Sequence, residues 1–252
     1  MTAHGPGVAV VVGATGTLGL VIVRRLRACN VPVIALARDV RPLAELTSLD
    51  DGVIACSADI ATADVEEQIR AAVPGPVRMV VQAAGLPAAG PVDTVDPEAL
   101  GAGVALKVGG LLRLVRAVDD RLGPGSRVVA LGGHYGSEPA PYASLAGIAN
   151  AALANAVRQL AISYGPRGVT VHLIAPGPVD SPRLHRLLAG QAERLGLPLE
   201  TLLEQRRAES PLGRLITPDE VAWAVGILLD PQADALHGSA LALDMGARRG
   251  LF

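Results

Sequence analysis

The segment formed by residues 8–19, VAVVVGATGTLG, constrains the fold of this chain more than any other stretch. Five successive apolar residues favour a strand that is buried on both faces, as in a parallel sheet. Glycines at positions 13, 16 and 19 then end the apolar run, and a helical pattern follows over about residues 18–28. A strand that leads through a glycine-rich turn into a helix is typical of a dinucleotide-binding unit.

Each glycine of this loop has its own role in the hypothesis of phosphate binding. Gly13 permits a tight turn, Gly16 lets the backbone approach a pyrophosphate, and Gly19 lets the helix pack closely on its strand. The N–H groups at the start of the helix would then face the anion. The predicted cofactor-binding residues of the loop are Gly13, Thr15, Gly16, Leu18 and Gly19.

Apolar runs of strand length alternate with helical patterns along the rest of the chain. This alternation predicts an α/β fold, a single-domain Rossmann fold in which helices cover both faces of a doubly wound parallel sheet. Clusters of proline and glycine lie between adjacent elements rather than at a domain boundary, so one domain is expected over residues 1–252. The further predicted strands are residues 31–37, 53–57, 77–82, 127–131, 169–175 and 239–244.

Composition argues against several classes of function. No apolar run approaches the roughly 18 residues of a membrane-spanning helix, and the start MTAHGPG lacks the features of a signal peptide, so a cytoplasmic protein without a membrane partner is expected. A formal net charge of −2 gives no basic field for nucleic acid, and one tryptophan, three tyrosines and one phenylalanine give no stacking platform. Cys29 and Cys56 lack metal-ligand spacing and are predicted to be buried thiols, with no metal site.

The end of the second predicted strand indicates which dinucleotide is bound. In such folds this strand end meets the adenosine ribose, about twenty residues beyond the glycine loop. Ala37 leaves space there, and Arg38 supplies a cation suited to the 2′-phosphate of NADP(H). Asp39 could instead serve NAD, and a solvated surface arginine is the ordinary alternative. NADP(H) is the expected cofactor.

Four further stretches resemble motifs of the short-chain dehydrogenase/reductase family, in the family's order and spacing. CSADI resembles its adenine-side motif, VQAAG its NNAG stretch, IAPGPVDSP its nicotinamide loop, and SPLGRLITPDEVAWAV followed by HGSALALD its C-terminal region. The resemblance implies an oxidoreductase that uses a nicotinamide cofactor and a small-molecule substrate. It assigns to the cofactor Asp59, Ile60, Ala83, Gly85, Pro176, Gly177, Val179 and Ser181.

The serine and tyrosine that this family uses in catalysis have no counterpart here. The resemblance places the family's serine pair on Gly132 and Gly133, its tyrosine on Ala146 and its lysine on Asn150. Lys107, the only lysine of the chain, falls where typical members have asparagine. This exchange of lysine and asparagine resembles the ketoreductase domains of modular polyketide synthases, whose motifs are echoed in LKVGG and AGIAN.

Three side chains are candidates for the missing proton donor. On a continuous helix Tyr142 would lie one turn, about 5.4 Å, before Ala146 on the same face. His134 and Tyr135 follow Gly133 at the mouth of the site, and an imidazole can act as acid or base near neutral pH. Loop packing or contact with substrate is the structural alternative for each. The predicted catalytic set is Lys107, Asn150, Tyr142 and His134.

Two functions follow from these residues. The first is an NADP(H)-dependent reductase or dehydrogenase for a carbonyl or hydroxyl group of a small apolar or polyketide-like metabolite, working with a degenerate catalytic tetrad. The second is a protein that binds NADP(H), has lost redox catalysis, and acts as a scaffold, a regulator, or a non-redox cyclase or dehydratase. Turnover of NADPH with some carbonyl compound distinguishes them.

The resemblance also predicts a lid and an interface. The segment at about 183–214, with leucines 184, 187 and 188 at helical spacing, resembles the family's substrate lid. A homodimer or homotetramer is expected through helices E and F of the family, which carry Lys107 and Asn150 here. His172 and Trp223 are predicted to be core residues.

Overall fold

The computed structural model describes residues 7–86 and 90–250, and within them seven strands form one parallel sheet. The second strand begins two residues later than predicted, because Pro32 has no N–H to donate to a neighbouring strand. The other strand boundaries agree with the sequence prediction to within one residue. The strands are β1 Val8–Val12, β2 Val33–Ala37, β3 Val53–Ser57, β4 Val77–Gln82, β5 Arg127–Leu131, β6 Thr170–Pro176 and β7 Ala240–Leu243.

The strands lie in the order β3-β2-β1-β4-β5-β6-β7, which confirms the doubly wound Rossmann arrangement. Val11 of β1 pairs with Ala35 of β2 on one side and with Val81 of β4 on the other. The chain therefore reverses its direction of winding between β1 and β4. Doubly wound sheets bind their ligands at the carboxyl edge beside such a reversal.

Nine α-helices flank the sheet in the part of the chain that the structure describes. Helices α1, α2 and α9 pack on one face of the sheet, and α3, α5 and α6 pack on the other. Helices α7 and α8 share a small apolar core of their own, which includes Leu188 and Leu202. The helices are α1 Thr17–Ala28, α2 Val40–Ser48, α3 Val65–Ala72, α4 Pro97–Val104, α5 Gly110–Ala117, α6 Ser144–Tyr164, α7 Pro182–Leu195, α8 Leu199–Ala208 and α9 Pro218–Ile227.

Helix α6 is the most apolar long helix in the described chain. With its flanking single turns it runs from Pro141 to Arg167, 27 residues, which by length and composition alone is enough to cross a membrane. Its inward positions recur every fourth residue and are buried against β6 and the neighbouring helices. This packing is that of a core helix of the Rossmann domain. The buried positions are Leu145, Ala149, Leu153, Val157 and Ala161.

The structure corrects two predictions of burial and confirms two others. Cys29 is exposed, because it lies at the C-cap of α1, whereas Cys56 is buried as predicted. Trp223 was predicted to be core but is 51% exposed. The inward face of α9 is formed by its neighbours on both sides, so Trp223 points outward. His172 is fully buried, and both of its ring nitrogens lie within hydrogen-bond distance of a partner.

Candidate active site

The glycine loop after β1 has the geometry that a phosphate site requires. Gly13 has a φ of 75°, and a Cβ there would lie 3.1 Å from the backbone of Ala83. A Cβ on Gly19 would lie 2.0 Å from the Gly13 carbonyl oxygen, so only glycine fits between α1 and the loop. Gly16 is exposed and caps α1 without any side-chain hydrogen bond. No side chain therefore caps the backbone N–H groups at the start of α1, in the segment from Thr15 to Leu18. The loop fits a dinucleotide pyrophosphate.

The end of β2 separates the two candidates for ribose recognition. Arg38 is exposed directly after the strand. The Asp39 carboxylate accepts a hydrogen bond from the backbone N–H of Arg41 at 3.1 Å, which caps the N-terminus of α2. Asp39 thus has a local structural role, and Arg38 is the side chain left at the strand end.

The predicted adenine-side residues lie at the ends of β3 and β4. Asp59 accepts a hydrogen bond from the Ala61 N–H at 2.9 Å and so forms a tight turn. Ile60 is buried, and Ala83 donates its N–H to the Val12 carbonyl oxygen at 3.1 Å. Gly85 is exposed two residues farther on. Ala83 lies beside Gly13 of the glycine loop, and Asp59 and Ile60 follow β3 at the carboxyl edge of the sheet, where the adenosine is expected.

The predicted nicotinamide loop begins where β6 ends, at Pro176. Gly177 donates its N–H to the Leu243 carbonyl oxygen at 2.9 Å, and Val179 forms an isolated parallel bridge with Ile216. Ser181 is the N-cap of α7, and its Oγ accepts a hydrogen bond from the Leu184 N–H at 3.3 Å. The loop is thus fixed at both ends, and it forms the wall of the crevice opposite the glycine loop.

Lys107 lies on a π-helical turn, Ala105–Gly109, that joins α4 to α5. The amide of Gln82 at the end of β4 donates to the Leu106 carbonyl oxygen at 3.1 Å. A side chain that bonds a helical carbonyl in this way displaces the regular helical hydrogen bond and widens the turn. A Cβ at Gly110 would lie 2.4 Å from the Gln82 amide nitrogen, so a side chain at this position would displace the amide from its contact.

The wide turn directs the Lys107 side chain into the protein rather than into solvent. Its Nζ donates to the Leu131 carbonyl oxygen at 2.7 Å, and the residue is 6% exposed. Burial first, and then the nearby charge of Arg183, lower the pKa of Lys107 from 10.5 to about 8. The ordinary expectation for a lone lysine, a solvated position on the helix surface, is therefore wrong here.

Asn150 fills the space in which a side chain at position 133 would lie. A Cβ on Gly133 would be 2.8 Å from the Asn150 amide nitrogen. Asn150 is buried on α6, and its Oδ1 has no hydrogen-bond partner among the described residues. The carboxyl end of β5 is consequently met by two polar groups, the Lys107 ammonium and the Asn150 amide.

Tyr142 does not lie on the helix that carries Asn150, contrary to the continuous-helix geometry considered from the sequence. It occupies a single 3-10 turn before α6, which begins only at Ser144. Its hydroxyl accepts a hydrogen bond from Arg206 Nη1 on α8 at 2.6 Å and lies 3.2 Å from the Tyr135 hydroxyl. The Arg206 guanidinium carbon is also 4.5 Å from the centre of the Tyr142 ring.

His134 is buried next to this tyrosine pair. Its ring makes an edge contact with the ring of Tyr135, with 4.2 Å between their centres. Burial lowers the pKa of His134 below its ordinary value, although the carboxylates of Glu209 and Asp244 act in the opposite direction. Burial also raises the pKa of Tyr135. His134 is therefore neutral at neutral pH.

Sequence reasoning missed three residues that shape the site. Arg206 is 64 positions from Tyr142, and nothing in its helical surroundings distinguishes it from a solvated arginine. Gln82 stands within a motif that the sequence did single out, VQAAG, where the family has asparagine. Arg183 directly follows the motif IAPGPVDSP, two residues after Ser181, and this position was the available signal.

Comparisons with known proteins agree with this architecture. A family model described as enoyl-(acyl carrier protein) reductase matches residues 13–248. An uncharacterized oxidoreductase of Schizosaccharomyces pombe is 28% identical, over 99% of this chain and 93% of its own length. A protein of Xanthobacter autotrophicus named inactive 2-(S)-hydroxypropyl-CoM dehydrogenase 2 is 31% identical, over 68% of this chain and 74% of its own length.

A solved structure from Pseudomonas aeruginosa also matches almost the whole chain. It is a short chain oxidoreductase described as containing an atypical catalytic center, and its apo form is 28% identical with a TM-score of 0.84, covering 97% of this chain and 98% of that chain. Its NADPH-bound form is 27% identical with the same TM-score and covers 97% of each chain. The chain belongs to the short-chain dehydrogenase/reductase family of oxidoreductases.

Proposed function

We propose that this chain is an NADP(H)-dependent oxidoreductase for a carbonyl or hydroxyl group of a small apolar or polyketide-like metabolite. The buried Lys107 ammonium carries the proposal, because it lies at the carboxyl end of β5 without a carboxylate partner in the described chain. Burying such a charge is costly unless further groups satisfy it. Ribose hydroxyls of a bound dinucleotide are suitable groups. When bound, the nicotinamide supplies or accepts the hydride.

The preference for NADP(H) over NAD(H) rests on Arg38. Its exposed guanidinium stands at the end of β2, where a 2′-phosphate would lie, and a guanidinium binds phosphate with paired N–H donors. Asp39 is held by the N-terminus of α2, so it is not directed at ribose hydroxyls. The NADPH-bound relative from Pseudomonas aeruginosa supports this choice.

Asn150 is proposed to replace the absent serine. Its amide nitrogen lies where a side chain at position 133 would point, so it can donate a hydrogen bond to a substrate carbonyl oxygen. Its unpartnered Oδ1 can accept a bond from a water molecule or from a substrate hydroxyl. Positioned donors at a carbonyl oxygen stabilise the negative charge that develops there during hydride addition.

Tyr142 is the proposed proton donor, and His134 is the alternative. The Arg206 guanidinium donates to the Tyr142 hydroxyl at 2.6 Å and stabilises the phenolate that remains when the proton passes to the substrate oxygen. His134 is neutral at neutral pH because of its burial, which suits a base better than an acid. Whichever of the two groups donates the proton in reduction takes it back in oxidation, so Tyr142 and His134 are alternatives for one acid/base role.

The α7–α8 segment is proposed to be the substrate lid. Arg206 of α8 joins this segment to the turn that carries Tyr142. The position of the segment and the position of the proton donor are therefore coupled. Leu187 and Leu212 are 43% and 65% exposed on the segment and the loop after it. Exposed leucines on the proposed lid favour an apolar substrate.

The second candidate function, cofactor binding without redox chemistry, is favoured by the residues at two positions. Gly133 has no side chain, and Ala146 packs in an apolar cluster with Leu86 and Leu145. Neither offers a hydroxyl. A scaffold, a regulator, or a cyclase or dehydratase would need the bound dinucleotide only as a structural group.

The test combines cofactor binding with turnover. Calorimetry with NADPH and NADH measures the cofactor preference of the wild type. A screen of aliphatic ketones, 3-ketoacyl thioesters and bicyclic ketones then follows NADPH oxidation at 340 nm for the wild type and for Tyr142→Phe. A restored variant, Gly133→Ser with Ala146→Tyr, is compared with and without Asn150→Ala, because a Cβ at position 133 crowds the Asn150 amide.

The expected result is turnover by the wild type and a loss of about 10²- to 10⁴-fold in Tyr142→Phe, the range for removing a general acid. Turnover that is confined to the restored variants would overturn the oxidoreductase proposal in favour of the second function. Unchanged turnover in Tyr142→Phe would exclude this tyrosine as the donor. Absence of NADPH binding would exclude both functions.

We also propose that the chain forms a homodimer or homotetramer through α6 and the α4–α5 helix. Ile148 and Ile162 on the outer side of α6 are 44% and 74% exposed. Small residues between them, such as Ala151 and Ala154, would let a second copy of the helix approach closely. A monomer in light scattering at micromolar concentration would contradict this proposal.

A further inference from the structure

Arg183 joins the two sides of the crevice at the carboxyl edge of the sheet. It belongs to the first turn of α7, which follows the loop after β6. Its Nη1 donates to the carbonyl oxygen of Leu86, in the loop after β4. A Cβ on Gly85 would lie only 3.4 Å from the same nitrogen. The arginine therefore extends from the α7–α8 segment across the crevice to the opposite rim.

The charged groups that lower the pKa values of Arg183 and Lys107 are cations. The charge of Arg183 lowers the pKa of Lys107, and the pKa of Arg183 is itself lowered by burial first and then by Arg186. None of the ion pairs formed by described residues includes Arg183 or Lys107. The first turn of α7 contains no acidic residue, and its N-terminus adds a partial positive charge. The crevice thus has cations that lack an anion.

The glycine loop faces the same space from the other side. Gly13 is in contact with Ala83, and Ala83 lies two residues before Gly85, where the Arg183 guanidinium is found. The exposed, uncapped start of α1 at Gly16 supplies backbone N–H donors. An anion seated between the two would therefore meet backbone donors on one side and a guanidinium on the other.

We infer that Arg183 binds the phosphate nearer the nicotinamide in the dinucleotide's pyrophosphate, closing the α7–α8 segment onto the cofactor. The inference rests on the proposed function, since it needs the dinucleotide in the crevice. The Leu86 carbonyl is a neutral acceptor, and a charged phosphate oxygen forms a stronger hydrogen bond with a guanidinium. When the cofactor enters, the guanidinium leaves the Leu86 carbonyl oxygen and donates to the phosphate oxygen instead.

Three ligands distinguish this phosphate from the rest of the cofactor. NADPH contains the whole molecule, 2′-phospho-ADP-ribose lacks the nicotinamide, and adenosine 2′,5′-bisphosphate lacks the nicotinamide-side phosphate as well. Calorimetry gives the dissociation constant of each for the wild type, Arg183→Gln and Arg183→Lys. Arg186→Gln is the matched control, because Arg186 lies on the same helix one turn from the site and is exposed.

Arg183→Gln is expected to raise the dissociation constants of NADPH and 2′-phospho-ADP-ribose at least 10-fold. It is expected to change the dissociation constant of adenosine 2′,5′-bisphosphate less than 2-fold. Arg183→Lys is expected to be intermediate, since it keeps the charge without the paired donors. Arg186→Gln is expected to bind all three as the wild type does. Circular dichroism checks that each variant is folded, and Arg183→Lys decides the matter if Arg183→Gln is not.

The outcomes separate this inference from the proposed function. If the wild type binds NADPH and both Arg183 variants bind it equally well, the role of Arg183 is overturned while the proposed function stands. Equal weakening of all three ligands would also overturn it, because the effect would not be specific to the missing phosphate. A wild type that binds none of them would overturn the proposed function itself.

Discussion

His172 gives the fold a measurable dependence on pH. Its Nδ1 lies 3.2 Å from the Leu236 carbonyl oxygen, and its Nε2 lies 2.8 Å from the Thr170 Oγ1. A carbonyl only accepts, so Nδ1 carries the proton and Nε2 accepts from the threonine hydroxyl. A second proton would have to go to Nε2, which would break that bond and place a charge in a fully buried site. Burial accordingly lowers the pKa of His172 from 6.5 to about 4.

The size and direction of the effect follow from proton linkage. Between pH 6.5 and 4 the unfolded chain protonates this histidine and the folded chain does not, so the free energy of unfolding falls as the pH falls. One pKa unit corresponds to about 1.4 kcal/mol, and the full shift therefore amounts to about 3 kcal/mol. About 2 kcal/mol of this is lost between pH 7 and pH 5, with the remainder lost down to about pH 4.

Urea unfolding at pH 7, 6 and 5, at constant ionic strength and protein concentration, measures this loss. His172→Gln replaces the imidazole with a neutral amide, so the difference in unfolding free energy between wild type and variant should shrink by about 2 kcal/mol from pH 7 to pH 5. His185→Gln is the control, because His185 is partly exposed and pairs with Asp180 at the surface. Parallel curves for the wild type and His172→Gln would refute the assignment of this histidine as buried and neutral.

Three further predictions concern the cofactor site and the interface. Gly19→Ala places a Cβ 2.0 Å from the Gly13 carbonyl oxygen. It should lower the free energy of unfolding by about 1–3 kcal/mol and weaken NADPH binding. A melting temperature equal to that of the wild type would contradict the close packing. Arg38→Ala should weaken NADPH binding at least 10-fold and leave NADH unchanged, with Arg41→Ala as the neighbouring control in calorimetry. Ile162→Glu should shift the protein toward monomer in light scattering, and an unchanged mass would place the interface elsewhere.

The fold was predictable because each level of the sequence agrees with the others. The apolar run of β1 predicts two buried faces, and Val10 and Val11 are indeed fully buried on opposite sides. The glycine at position 19 predicts a close helix contact, which the structure places at the Gly13 carbonyl. The lengths of the strands, the turn residues and the starts of the helices can each be predicted from residues close in sequence. Together they are compatible with one topology of the sheet.

The candidate site was only partly predictable because its contacts are distant in sequence. Lys107 could be singled out as the one lysine, but its inward direction depends on the Gln82 amide, 24 positions from the carbonyl that it bonds. The bond between Tyr142 and Arg206 joins a 3-10 turn to helix α8, 64 positions apart, and no periodicity in the sequence indicates it. Trp223 shows the converse error, since its neighbours on α9 already fill the inward face and leave an apolar residue outside.

The contact between Gly133 and Asn150 also restricts how this site can change over evolutionary time. A serine at position 133 would meet the Asn150 amide nitrogen at 2.8 Å from its Cβ, so that substitution alone requires the Asn150 side chain to move. A lysine at position 150 would bring another cation toward Lys107, which already lacks an acidic partner among the described residues. Neither serine at position 133 nor lysine at position 150, the residues of the usual family site, is favoured unless the neighbouring positions change as well. Lineages that carry this arrangement should therefore inherit positions 107, 133 and 150 as a set.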